Sequence, residues 1–264
     1  MSKTHSHITL AEGSSFNQAA SSHVYLCVLS ENSAEGILLN PEKGVIDAYF
    51  KSPKAVENKD ELTALLPSQN SIYHIGISHA RFCLSPTVLF QAENAQKHLQ
   101  LHFKNPISSV RHQALEDLDT HILFEPFGDF DNQQHIYAAL IQAQRLGTKE
   151  LNKHQVYLHF VGEQMSISIF KHKALVYFNA FDVQTEEDVL YFLLYTLDQL
   201  NISTSGCHLS HSGSPTFELS QSELLRSFLP PFHPIHLPGS ISINPQLQVS
   251  KEELFALISL YICG

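Results

Sequence analysis

Val156-Tyr157-Leu158-His159-Phe160-Val161, Met165-Ser166-Ile167-Ser168-Ile169-Phe170 and Ala174-Leu175-Val176-Tyr177-Phe178-Asn179 are three β-prone runs, joined at Gly162-Glu163-Gln164 and at Lys171-His172-Lys173. Runs rich in Val, Ile, Tyr and Phe with short polar breaks predict two consecutive hairpins. Directly after them, Thr185-Glu186-Glu187-Asp188 has the form of a capping box, in which a hydroxyl takes one orphan amide of a helix start and a carboxylate takes another. A helix is expected from there, with Val189, Phe192, Leu193, Thr196, Leu197 and Leu200 on one stripe. Leu190, Tyr191, Leu194 and Tyr195 cover much of the rest, which predicts a helix packed on more than one side. Residues 207–211 then read as a fourth strand. Ser220 and Glu223 read as the cap of a helix that Leu229-Pro230-Pro231 stops, and residues 233–243 as short β segments. Ser250-Lys251-Glu252-Glu253 caps a last helix with Leu254, Leu257, Ile258 and Tyr261 on one face. The order is β-β-β-α-β-α-β-α.

Working backwards, the same phrase occurs once before. Residues 23–29, 36–39 and 45–50 are three strands, turned at Glu31-Asn32-Ser33 and at Asn40-Pro41-Glu42-Lys43-Gly44. Leu62, Leu65 and Leu66 mark a short helix, and residues 72–77 a further strand. A strand at 80–84 broken by Pro86, a helix over 92–103, a strand at 120–124 and a helix over about 131–145 complete this half. Gly147-Thr148-Lys149 is the expected boundary. The chain thus divides into a partly disordered tail or loose edge strand at 1–21, a first lobe at 22–147 and a second at 148–264. A repeat of this length implies two related lobes, and the cleft between them is where function is to be sought.

The 264 residues, 43% of them apolar and 17 of them Phe, suffice for a substantial core without covalent staples. A formal charge of -10 with 16 Lys and Arg lacks the clustered cations that phosphate neutralisation requires, so nucleic acid is not an expected partner. No apolar run has the length of a signal peptide or of a bilayer span, which predicts a soluble, cytoplasmic protein without membrane insertion. The four cysteines are scattered without the close pairs of a zinc site and are read as reduced and mostly buried.

Three antiparallel strands followed by alternating helices and strands resemble the ribonuclease-H-like unit. Two copies in one chain resemble the actin-like ATPase superfamily of actin, sugar kinases and heat-shock chaperones. Ala80-Arg81-Phe82-Cys83-Leu84-Ser85-Pro86, Tyr177-Phe178-Asn179-Ala180-Phe181, Glu187-Asp188-Val189-Leu190-Tyr191-Phe192-Leu193-Leu194 with Asp198-Gln199-Leu200, and Leu260-Tyr261-Ile262-Cys263 are similar to an uncharacterised bacterial family with this fold, classed only as a domain of unknown function. The resemblance implies an α/β fold of mixed sheets in two ribonuclease-H-like lobes.

The superfamily's ATPase chemistry implies an acidic residue followed by Gly and Ser or Thr at the first hairpin of each lobe, where backbone amides meet phosphates and the carboxylate acts on Mg2+ or its water. This chain departs from that. The first turn reads Ser30-Glu31-Asn32-Ser33-Ala34 and the second Gly162-Glu163-Gln164-Met165-Ser166, so the Asp is absent from both. The adenosine-side glycine pair is reduced to Ser212-Gly213-Ser214. Glu31, Asn32, Ser33, Gly162, Glu163, Gln164, Ser212 and Gly213 are therefore the residues that occupy the nucleotide positions, in degenerate form. The expected function is that of a non-catalytic actin-like scaffold without cofactor that holds a protein partner, as the actin-like components of pilus-assembly and type II secretion systems do. The alternative is an ATPase or small-molecule kinase using ATP and Mg2+, with Glu31 or Glu163 in place of the Asp.

Other candidates have plainer readings. Glu125, Asp129 and Asp131 have the carboxylates for a divalent cation, but a turn with a helix-capping Asp explains them. His98 and His102 have i, i+4 spacing, yet in a chain with 17 His such pairs arise by coincidence, as do His208 with His211 and His233 with His236. Ser212 lacks the Gly-x-Ser-x-Gly elbow of a hydrolase and is read as part of a turn. No catalytic and no metal-ligating residue is assigned.

Overall fold

Val24–Ser30 is apolar on both faces and buried along nearly its whole length, as a central strand of a sheet covered on both faces must be. In the computed structural model, which describes residues 9–12, 23–65, 72–131, 133–149, 152–215, 217, 219, 221–235 and 241–263, this strand and its counterpart His154–Val161 each organise one sheet. The contacts divide the chain into two units: residues 1–142, 239–248 and 257–264, and residues 143–238 with 249–256.

The first unit contains β1 (Thr9–Glu12), β2 (Val24–Ser30), β3 (Ala34–Asn40), β4 (Val45–Ser52), α1 (Lys59–Leu65), β5 (Ile72–Ser78), β6 (Phe82–Pro86), α2 (Ala95–Gln100), β7 (Arg111–Leu115), β8 (Thr120–Phe124), β9 (Gln133–His135) and most of α3 (Ile136–Gly147). Its main sheet runs β1-β4-β3-β2-β5-β9. The β2/β3 and β3/β4 pairs are antiparallel, and β2/β5 and β5/β9 are parallel. Gly36 on β3 faces the Phe50 ring so closely that any Cβ there would collide with it, which is why this strand centre carries no side chain. A separate three-stranded sheet, β6-β8-β7, forms around Cys83, Leu99, Ile107 and Leu123.

The second unit contains β10 (His154–Val161), β11 (Gln164–Lys171), β12 (Ala174–Asp182), α4 (Glu186–Gln199), β13 (Cys207–Gly213), α5 (Glu223–Phe228) and β14 (Phe232–Pro234). Its sheet runs β12-β11-β10-β13-β14, antiparallel over the first three strands and parallel over the last three. This order repeats β4-β3-β2-β5-β9 position for position, so the repeated phrase in the sequence is a repeated topology. Val156, Leu158, Ile167, Ile169, Val189, Leu193 and Leu209 lie at the centre of its core. Near the end of the chain, β15 (Ser242–Ile243) pairs with β4 in the first unit, and α6 (Phe255–Cys263) begins in the second unit and ends in the first.

Several expectations are corrected. The helix expected over 92–103 is a 3-10 turn, Ala92–Asn94, followed by the short α2. The Gln100 amide stops it by bonding the Phe103 and Asn105 carbonyls and the Ile107 amide. The helix expected from about 131 starts at Ile136, because Gln133 closes a loop on Phe127 and residues 133–135 pair with β5 as β9. Strand β7 was not anticipated: Arg111-His112-Gln113-Ala114 has no apolar alternation to mark it. α4 has its capping box, with Thr185 Oγ1 accepting from the Asp188 amide at 3.2 Å and Asp188 accepting from the Thr185 amide at 3.0 Å. It is buried along one stripe, however, and Tyr191 and Tyr195 stack on each other in solvent. The cap of α5 is Ser222, which accepts from the Leu225 amide. The reciprocal bonds of Ser250 and Glu253 form, yet α6 begins only at Phe255. The tail expectation at 1–8 and 13–22, Leu66, Ser220 and His236 lie outside the described residues, while Thr9–Glu12 pairs as an edge strand with β4.

Candidate functional site

The β2–β3 turn is built by Ser30. Its Oγ accepts from the Ser33 amide at 3.0 Å and lies 3.4 Å from the Asn32 amide, while its own amide donates to the Ser33 carbonyl at 2.9 Å. The N–H groups at Asn32 and Ser33 thus point back into their own turn. Glu31 reaches His79, just beyond the end of β5, with Oε1 and Nε2 2.8 Å apart. His79 Nδ1 accepts from the Arg81 amide at 3.0 Å, so Nε2 carries the proton and donates to Glu31. Behind it, His135 Nε2 donates to the His79 carbonyl at 3.0 Å and its Nδ1 accepts from the Tyr137 amide. Burial pushes the His135 pKa down to about 3.

The corresponding positions of the second unit share one end of its sheet. Gly162 and Glu163 form the two-residue turn between Val161 and Gln164, with Gly162 at φ 58°, a conformation that glycine adopts without strain. The Glu163 carbonyl accepts from the Val183 amide at 2.7 Å, and Gln164 Nε2 lies 3.5 Å from Asp182. One strand over, the register sets Phe160 beside Gly213 and His159 beside Ser212. Gly213 has φ 80° and lies against the Phe160 carbonyl, so a Cβ there would collide with backbone. Its amide donates to the Glu252 carbonyl at 2.8 Å, and Ser214 Oγ approaches Glu253 at 3.3 Å. The structure therefore brings Gly162, Glu163, Gln164, Ser212 and Gly213 to one sheet end, and sets Glu31, Asn32 and Ser33 at the equivalent end of the first unit's sheet.

Ser212 Oγ is 2.9 Å from His159 Nδ1, the separation of a nucleophile and its base. Both are sealed from solvent, and burial pushes the His159 pKa down to about 3. The pair ties β10 to β13 and has no access to a substrate. Glu125 is also committed: Oε1 accepts from the Ser108 amide and hydroxyl, and Oε2 from Arg81 at 2.8 Å. Burial alone would raise its carboxyl, but the Ser108 and Arg81 bonds outweigh it and hold the group below its usual range. Asp129 and Asp131 use their backbones, the former donating its N–H to the Glu57 carbonyl and the latter accepting from Arg111. His208 stacks on His233 at 4.6 Å, beside a pocket of about 110 Å³ lined also by Gln144, Lys149 and Gln155. The Gln144 amide there is buried with no partner among the described residues, a feature that no spacing in the sequence announces.

The family model described as "Protein of unknown function (DUF3822)" matches residues 71–231, more than half of the chain. Among solved structures, the chain is similar to a Bacteroides thetaiotaomicron protein with actin-like ATPase fold and unknown function, at 17% identity and a TM-score of 0.71, covering 92% of this chain and 97% of that one. It is similar to a chain of the PilM–PilN type IV pilus biogenesis complex at 9% identity and a TM-score of 0.56, covering 90% and 97%. It is also similar to the cytoplasmic domain of EpsL, an inner membrane component of the type II secretion system of Vibrio cholerae, at 11% identity and a TM-score of 0.53, covering 92% and 96%. These likenesses identify the fold as the actin-like ATPase fold. No curated protein matches by sequence. No helix among the described residues is long and apolar enough to cross a membrane.

Proposed function

Because this chain belongs to the DUF3822 family of proteins of unknown function, no activity is inherited with the fold, and we propose that it is a non-catalytic actin-like platform that docks a protein partner in the cytoplasm. The observation that carries this reading is the state of the turn amides. A nucleotide triphosphate is held in this superfamily by backbone N–H groups that point outward at its phosphates. Here the Ser33 amide donates to Ser30 and the Gly213 amide to Glu252. Glu31, which stands nearest to the missing Asp, is engaged by His79. Residues so committed do not fit a magnesium–triphosphate group, and a chain of net charge -10 offers it no general attraction. A protein partner is supported by the neighbours that share the fold, one solved within the PilM–PilN complex and one described as a component of a secretion system. Fold-level analogy of this kind supports a mode of action and names no partner.

Calorimetric titration of Mg·ATP and Mg·ADP into the purified chain tests the reading. No binding heat is expected up to millimolar nucleotide. Micromolar binding that is lost in Glu31→Ala or Glu163→Ala would overturn it in favour of an ATPase or kinase with unorthodox phosphate loops.

A further inference from the structure

We propose that Cys83, His98 and His102 form a zinc-binding site that clamps α2 to the small sheet of the first unit. Cys83 lies on β6 and points at α2, in a cluster with Ala95, Leu99, Ile107 and Leu123. His98 is in α2 and His102 in the turn just after it, one helical turn apart, with their rings stacked at 6.0 Å and 30°. The helix stripe that buries Ala95 and Leu99 continues at the i+3 and i+7 positions to His98 and His102, so both imidazoles flank the thiol. The Cys83 sulfur and one ring nitrogen of each His all lie within 4.8 Å of one another.

Metal–ligand lengths of about 2.0–2.3 Å in a tetrahedron set donor atoms roughly 3.3–3.7 Å apart. The cluster need therefore contract by no more than about 1.5 Å on binding. Side-chain rotation suffices, since His98 is half-buried and His102 exposed while the buried thiol stays fixed. A donor set of one sulfur and two imidazole nitrogens, without carboxylate, is matched to zinc and not to the oxygen-seeking Mg2+ or Ca2+. As the metal–sulfur bond forms, the thiol proton leaves to solvent and no redox change occurs. Three protein ligands leave the fourth tetrahedral position to water on the His102 side. The physical consequence is cohesion: α2 is six residues long and buries two of them, and the metal adds a direct link between it and β6.

The test is titration of metal-stripped protein with Co2+, followed by displacement with Zn2+. A sulfur-to-cobalt charge-transfer band is expected in the wild type and absent in Cys83→Ser. Zinc affinity is expected to fall at least tenfold in His102→Ala, an exposed position whose loss leaves the core intact, and to stay unchanged in His172→Ala on an exposed turn of the second unit. Zinc is also expected to raise the melting temperature of the wild type and not that of His102→Ala. Absence of the charge-transfer band from the wild type, or zinc affinity unchanged in both Cys83→Ser and His102→Ala, would overturn the proposal. Because it concerns a site in the first unit remote in sequence from the turns at 30–33, 162–164 and 212–213, its outcome is independent of nucleotide binding.

Discussion

His135 and His159 are imidazoles kept neutral by burial, each with its pKa pushed from 6.5 down to about 3. The unfolded chain takes up a proton at each near the ordinary value, while the folded chain does not until far lower pH. Stability from this source is therefore fully present above about 6.5 and is lost as pH falls from there toward 3, with a slope of up to about 1.4 kcal/mol per pH unit for each group. Urea midpoints measured between pH 7.5 and 5 are expected to fall, and to fall less steeply in His159→Gln, which replaces the titrating ring by an amide. A midpoint in His159→Gln that tracks the wild type at every pH would contradict the assignment. His159 was visible in the sequence only as an apolar-run histidine. What fixes its state is burial between β10 and β13, whose parallel register also sets Ser212 beside it, and no spacing along the chain shows either.

At the scale of elements, α4 shows how local chemistry sets a boundary. The Asp188 amide of its first turn is met by the Thr185 hydroxyl, and Asp188 is held below its usual carboxylate range by the Gln184 and Thr185 amides that bond it from just before the helix. Thr185→Ala is expected to cost about 1 kcal/mol in chemical denaturation, while Thr185→Ser keeps the hydroxyl and most of the stability. Equal stability of all three proteins would show that the cap contributes nothing. Such boundaries were legible because hydroxyl, carboxylate and apolar stripe all lie within one stretch of sequence. The hairpins of both units were legible for the same reason, their strands being runs of Val, Ile, Leu and Phe set off by short polar turns. β7 was not, since Arg111 to Ala114 offers no apolar alternation and the strand exists by pairing with β8. β14 and β15 span three and two residues and are likewise made by their partners. The candidate zinc ligands divide in the same way: the His98–His102 spacing is local to α2 and the turn after it, while Cys83 joins them only once β6 is paired with β8 and α2 packs over it.

For the whole molecule, two units repeat one strand order, and each sets its first hairpin turn at the same end of its sheet. Those turns were legible as short polar breaks between apolar runs, and the absence of an Asp from both, and of a Gly from the first, could be read directly. The fate of the amides was not, because the groups that occupy them include the carbonyl of Glu252, far along the chain from Gly213. The account's central claim is that these amides are already spent on the protein itself. Amide hydrogen exchange at Ser33 and Gly213, followed by NMR with and without millimolar Mg·ATP, tests it most directly. Slow exchange at both, unchanged by nucleotide, is the predicted result. Fast exchange that Mg·ATP slows at both would contradict the account and return these turns to phosphate binding.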